Sequence, residues 1–164
     1  MIFLTIGTQL PFDRLVREID EWFGAHPDFE CFAQIGDSEF QPKHMPFERV
    51  LTADDARQRM EEANLIIAHA GMGTVISALR MGKPLLIMPR QCKFGEQRND
   101  HQLATAEAFR RWPNIFVAMD ETEIAARLDE LTPVRSFEGD PLGPHASPSL
   151  LAAVRDFIGE GEKE

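Results

Sequence analysis

Leu65-Ile66-Ile67-Ala68-His69-Ala70-Gly71-Met72-Gly73-Thr74 decides how the rest of the chain reads. A short, unbroken apolar run ends in two closely spaced glycines, and the residues after them read as a helix to about Met81, stopped by Gly82. A strand that is apolar on both faces belongs inside a parallel sheet, covered on either side. Strand, glycine turn and helix are the repeating unit of an α/β fold.

The same unit recurs on both sides of this stretch. Residues 2–6 form an apolar run ending in Gly7-Thr8, followed by Phe12, Leu15, Val16, Ile19 and Phe23 at helical spacing. Gly24 and Pro27 are read as closing that helix. Residues 29–35 read as a strand, 36–46 as a loop with Gly36, Pro42 and Pro46, and 47–51 as a short strand. Thr52 is placed as the N-cap of a helix to about Ala63, with Asp54 and Asp55 in the first turn, where carboxylates favour the helix dipole. Downstream come a strand at 84–88, a loop at 89–97, a helix at 98–111, a strand at 115–119 and a helix at 121–131. This alternation predicts a Rossmann-like α/β fold, a parallel sheet with helices on both faces. Such sheets bind ligands beyond the carboxyl ends of their strands, where both glycine turns fall.

The domain is assigned to residues 1–132. Residues 133–148, with four prolines, read as a tether, and 149–164 as a C-terminal helix marked by Leu150, Leu151, Val154 and Ile158. That helix either folds back on its own domain or docks on a neighbouring chain.

With 164 residues, 43% of them hydrophobic, the chain is one domain with a sizeable core. A net charge of -10 argues against nucleic acid as a partner and against a polybasic grip on anionic lipid. No apolar run approaches the roughly 20 residues of a membrane span. Residues 1–6 are too short, and lack the basic flank, for a signal peptide. Cys31 and Cys92 stand far apart without metal-ligand spacing and read as ordinary thiols of a reducing cytosol.

Three constellations carry chemistry. At His69, Ala70, Gly71, Met72, Gly73 and Thr74, glycines let a ligand approach the backbone, and the amides of a helix start point outward unpaired. That arrangement suits a phosphate or diphosphate, with the Thr74 hydroxyl as a further donor. A plain tight turn fits these residues too. Ile76 stands where a dinucleotide fingerprint would have its third glycine, and no Gly-Lys-Ser/Thr follows. Gly7, Thr8 and Gln9 either face the same cleft or make a structural turn. Arg90, Glu96, Arg98, Asn99, Asp100, His101 and Gln102 form the third group. Their amides and carboxylates suit sugar hydroxyls, and their arginines a phosphate or a sugar carboxylate. Alternatively, Asn99 or Asp100 caps a helix and the rest are solvated. His69 and His101 lack a third ligand nearby, so no metal is expected. There is no Gly-x-Ser-x-Gly elbow and no Asp-x-Asp pair, and Glu61 and Glu62 read as a solvated helix face.

Together, Phe3-Leu4-Thr5-Ile6-Gly7-Thr8, Gln34-Ile35-Gly36, His69-Ala70-Gly71-Met72-Gly73-Thr74, Gly82-Lys83-Pro84 and Asn99-Asp100-His101-Gln102 resemble glycosyltransferase family 28, C-terminal domain type. The resemblance covers roughly residues 2–130. Met88-Pro89-Arg90 and Gly95-Glu96 resemble one branch, the small donor-binding subunits of two-part bacterial capsule and exopolysaccharide transferases. That branch is similar to the donor-binding subunit of the dolichol-linked N-acetylglucosaminyltransferase.

The resemblance implies the C-terminal half of a GT-B enzyme that uses a UDP-sugar, transfers with inversion and needs neither cofactor nor metal. It implies a polyprenyl-linked sugar acceptor held by a separate, membrane-anchored subunit. The chain itself would then be cytoplasmic and peripheral to the inner membrane. Carried over by position, residues 71–74 would meet the diphosphate and ribose, and His101 and Gln102 the sugar hydroxyls. Gly7 and Thr8 would lie near the phosphates, and the backbone of 51–53 at the uracil edge. Ser77 stands where many relatives grip the ribose with a glutamate, and a hydroxyl offers less than a carboxylate there. The catalytic base is expected on the partner, with His69 the one candidate in this chain. Two rival readings remain: a non-catalytic nucleotide-sugar-binding regulatory or scaffold subunit, and a self-sufficient transferase, as a homodimer or alone.

Overall fold

Thr5 lies in register with Gln34 on one side and Ala68 on the other, so the first strand is the centre of the sheet. The structure, a computed structural model, describes residues 1–132; the expected tether and C-terminal helix lie outside the described residues. Six parallel strands are present: β1 (Ile2–Thr5), β2 (Cys31–Gln34), β3 (Phe47–Glu48), β4 (Leu65–His69), β5 (Leu85–Met88) and β6 (Ile115–Val117). Their order is β3-β2-β1-β4-β5-β6. Growth of the sheet reverses between β1 and β4, and a doubly wound sheet opens its ligand crevice at such a switch. Each strand agrees with an expected one, with trimmed ends except in β4, which runs on to His69.

Five helices cover the sheet among the described residues: α1 (Asp13–Ala25), α2 (Ala53–Glu62), α3 (Met72–Arg80), α4 (His101–Phe109) and α5 (Ile124–Leu131). Side chains alternate across each strand. Leu4, Ile67, Leu86 and Met88 join Leu15, Ile19 and Phe23 of α1 and Leu128 of α5 in one core. Phe3, Ile66, Ala68, Leu85 and Ile87 join Met60 of α2, Val75 and Ala78 of α3 and Ala106 of α4 in the other. Both faces are therefore buried, which is why β5 and residues 65–68 of β4 are apolar throughout rather than at alternate positions.

Three boundaries differ from expectation, each for a local reason. Gly24 does not end α1. The helix runs on to Ala25, and a Cβ at Gly24 would stand 2.9 Å from Cδ2 of His44, so this glycine admits the loop of residues 36–46. Asp20, buried in α1, anchors that loop by accepting the N–H groups of Lys43 and His44. The helix expected from Arg98 begins at His101; Asp100 stands at its N-cap position, but its carboxylate accepts the Cys92 N–H at 2.7 Å instead of capping. The last helix is split: Asp120 caps a 3-10 turn at Glu121–Glu123, and α5 follows. The Thr52 cap is present, its hydroxyl accepting the Asp55 N–H.

Candidate functional site

Three loops at the carboxyl ends of β1, β4 and β5 enclose an open cleft of about 300 Å³. The loop after β1 contributes Gly7, Thr8 and Gln9, that after β4 contributes His69, Gly71, Gly73 and Thr74, and that after β5 contributes Arg90, Gln97, His101 and Gln102. Residues far apart in the chain thus meet where the topology places a site.

The His69 ring decides how the two glycine turns are built. A Cβ added to Gly71 would overlap Cε1 of His69 and stand 2.5 Å from its Nδ1; one added to Gly7 would stand 2.7 Å from its Nε2. Both glycines therefore make room for the imidazole. Gly7 also has φ +76°, a conformation other residues adopt at a cost. The Gly71 N–H is already engaged, donating to the His69 carbonyl at 2.7 Å. This corrects the expectation that Gly71 offers its amide and its missing side chain to a ligand. Burial, helped by the charges of Arg90 and His101, pushes the His69 pKa down to about 4, so the ring is neutral near pH 7. Its Nδ1 is buried without a partner among the described residues.

Free donors begin one residue later. The first-turn amides of α3, on Met72, Gly73 and Thr74, have no carbonyl partner among the described residues, whereas Val75 N–H returns to Gly71. A Cβ at Gly73 would meet nothing within 4 Å, so this backbone is open to an incoming group.

Arg90 lies beneath the same cleft at 2% exposure. Its Nη2 donates to the carbonyls of Ile6 (2.7 Å) and Leu10 (2.6 Å), and its Nε has no partner among the described residues. Burial lowers its pKa to about 10, which leaves it cationic at neutral pH. It forms no ion pair among the described residues. Gln102 is fixed by accepting the Arg90 N–H through Oε1.

Several expected residues stand elsewhere. Ala70 is buried, its N–H bonded to Met88, and Met72 points its side chain into solvent. Glu96 does not face the cleft: Arg14 grips both its oxygens, and the Gln91 N–H donates to it. Arg98 and Asn99 are exposed, and Asn99 accepts the His101 N–H, so it braces a cleft residue without lining the cleft. Ser77 lies in a separate groove of about 550 Å³ between α2 and α3, with Ala53, Arg57, Met60 and Arg80. Sequence reasoning missed Gln97 and Arg14. Gln97 sat within a cluster already singled out, but no local signal marked Arg14.

No group of three or more His, Cys, Asp and Glu suited to a metal occurs among the described residues. No described helix is long and apolar enough to cross a membrane.

Comparison with known proteins agrees with this architecture. The chain is 26% identical over 141 residues to the UDP-N-acetylglucosamine transferase subunit ALG13 of Yarrowia lipolytica, covering 76% of this chain and 67% of that protein. It is 27% identical over 127 residues to ALG13 of Mus musculus, of which it spans only 10%. In structure it superposes on the solution structure of ALG13 with a TM-score of 0.60 at 18% identity, covering 93% of each chain. It superposes on the kitacinnamycin glycotransferase with a TM-score of 0.61 at 20% identity, over 81% of this chain and 35% of that one. These structural likenesses establish the GT-B type of sheet. Residues 1–135 match the family model for the glycosyltransferase family 28 C-terminal domain, and the chain belongs to that family.

Proposed function

We propose that this chain is the donor-binding subunit of an inverting UDP-sugar glycosyltransferase. The observation that carries the proposal is the convergence, on one cleft, of the unpartnered α3 amides of Gly73 and Thr74 and a buried arginine without an ion pair among the described residues. Helix-start amides and a buried cation, met only in part by the charge of Glu96, which Arg14 grips, both favour an anion. A diphosphate is large enough to meet both. The name of the relatives, a UDP-N-acetylglucosamine transferase subunit, supports UDP as the nucleotide and a partner chain as the second half.

When the sugar is transferred, the diphosphate leaves with growing negative charge. Amides already aimed at that charge stabilise the transition state more than the bound donor, without a metal. His101 and Gln102, which line the cleft, would hold the sugar. The nucleoside would extend over the α2–α3 groove past Ala53 and Ser77. His69 is a poor base, because a group with a pKa of about 4 takes a hydroxyl proton weakly. The base therefore belongs to the acceptor-binding subunit, which we place at the membrane with a polyprenyl-linked sugar, in capsule or exopolysaccharide synthesis. The chain would reach the inner membrane through that subunit. The non-catalytic reading is favoured by the lack of a carboxylate lining the Ser77 groove. A transfer assay with the partner separates the two, since Thr74→Ala with His101→Ala abolishes turnover only in a catalytic subunit.

UDP is expected to raise the melting temperature. At 100 times its Kd it stabilises the fold by about 2.7 kcal/mol. No shift with millimolar UDP or any UDP-sugar would sink the proposal.

Gly73→Ala gives a finer check. Alanine is favoured in a helix by up to about 1 kcal/mol, and here it has space, so the free protein should be slightly more stable. The added methyl group stands where the phosphates approach, so UDP affinity should fall about tenfold, roughly 1.4 kcal/mol. Isothermal titration and urea denaturation read the two effects separately, and unchanged affinity would remove the diphosphate from this turn.

A further inference from the structure

We propose that Arg14 is a positioning residue which, with Glu96, fixes the loop after β1 against the loop after β5 and so sets the shape of the donor cleft. The inference rests on the cleft being the donor site. Arg14 lies in the first turn of α1, just beyond the loop that carries Gly7, Thr8 and Gln9. Glu96 precedes Gln97, in a segment that also delivers His101 and Gln102 to the cleft. The guanidinium meets the carboxylate as a fork, Nε to Oε1 and Nη2 to Oε2, both at 2.9 Å. Its remaining Nη1 bonds Glu121, and Nη2 also reaches the Pro89 carbonyl at 3.5 Å. Glu96 accepts the Gln91 N–H at 3.0 Å as well. One arginine therefore ties α1 to both ends of residues 89–96.

The other bonds of that segment, Arg90 N–H to Gln102, Cys92 N–H to Asp100 and Gln91 Nε2 to the Met119 carbonyl, do not reach α1. The segment's regular structure is a single 3-10 turn, Cys92–Phe94, and its one large apolar side chain, Phe94, is half exposed. Both charged partners are largely buried, with side-chain exposures of 13% for Arg14 and 9% for Glu96. Burying an ion pair gives little net stability over an apolar pair of the same size. It does give direction, because a bidentate fork fixes both distance and angle. Arg90 makes a parallel tie from β5 to the carbonyls of Ile6 and Leu10, so the two cleft walls are joined twice.

The test uses the whole chain as wild type, Arg14→Gln, Arg14→Lys, Glu96→Gln and the Arg14→Gln/Glu96→Gln double variant. Hydrogen exchange without ligand should speed up about tenfold on both sides of the pair, in residues 12–16 and in residues 91–97, for each glutamine variant. Affinity for UDP-N-acetylglucosamine, as probe, should fall about tenfold, and the double variant should be no worse than either single one, since both remove the same contact. Arg14→Lys keeps the charge but cannot span both oxygens. It should therefore keep the melting temperature while leaving the affinity low, a split that a purely stabilising role does not produce. Loosening confined to one side, additive losses in the double variant, or affinity that follows melting temperature across the series would each overturn the proposal. If both sides loosen as expected but wild type binds neither UDP nor the UDP-sugar, the positioning pair stands and the donor-site reading falls.

Discussion

Gly71→Ala is expected to unseat His69, destabilise the domain by about 3 kcal/mol or more and remove nucleotide binding. The new methyl group would overlap Cε1 of the imidazole and stand 2.5 Å from Nδ1. With Gly7 flanking Nε2 on the other side, the ring can give way only into the cleft, across the space a ligand would need. Overpacking usually costs 1–3 kcal/mol when neighbours can give way, and an enclosed ring lies at or above the top of that range. Displacing the ring also disturbs residues 71–74, where the free amides begin, so UDP affinity should be lost along with stability. Adding His69→Ala to Gly71→Ala removes the collision and should recover most of the stability, a coupling expected only between residues in contact. Urea denaturation of the two singles and the double measures it. A Gly71→Ala variant with wild-type midpoint and UDP affinity would show that the ring does not fill the space between the glycines.

The contrast between Gly71 and Gly73 shows where sequence reading succeeds and where it stops. Periodicity is a local property, and β1, β4 and β5 were legible because the inner strands of a parallel sheet are covered on both faces; residues 65–68 announce β4 without help from the rest of the chain. The location of the cleft followed from that topology, and Thr74, His101 and Gln102 line it together with Gly7, Thr8 and His69. The two glycines, however, look equivalent in sequence. Only coordinates show that one packs on a histidine while the other stays open. Arg90 and Glu96 were read as ligand-facing because they neighbour polar residues. Arg90 does line the cleft but spends its Nη2 on carbonyls 80 and 84 residues away, and Glu96 turns from the cleft to an arginine 82 residues away. Long-range partners of this kind leave no trace in local spacing. Ser77 was marked by the resemblance alone, and the helix sets it in the groove shared with α2.

The buried imidazole also predicts how stability depends on pH. In the unfolded chain His69 titrates at about 6.5, and in the folded protein at about 4. Above pH 6.5 the ring is neutral in both states and contributes no pH dependence. As the pH falls below 6.5, the unfolded state takes up a proton that the folded state refuses, so stability declines until the folded ring is protonated near pH 4. A gap of two to three units corresponds to about 3 kcal/mol in full. Carboxylates add their own dependence over part of this range, so the measurement must be a difference. Urea denaturation of wild type and His69→Gln at pH 7.5, 6, 5 and 4.5 should show wild type losing more stability on acidification, with the divergence opening below pH 6.5. Glutamine cannot be protonated, and whatever fixed packing penalty it carries is the same at every pH. Parallel curves would mean that the ring reaches solvent when protonated, and they would withdraw the claim that this cleft is floored by a neutral histidine.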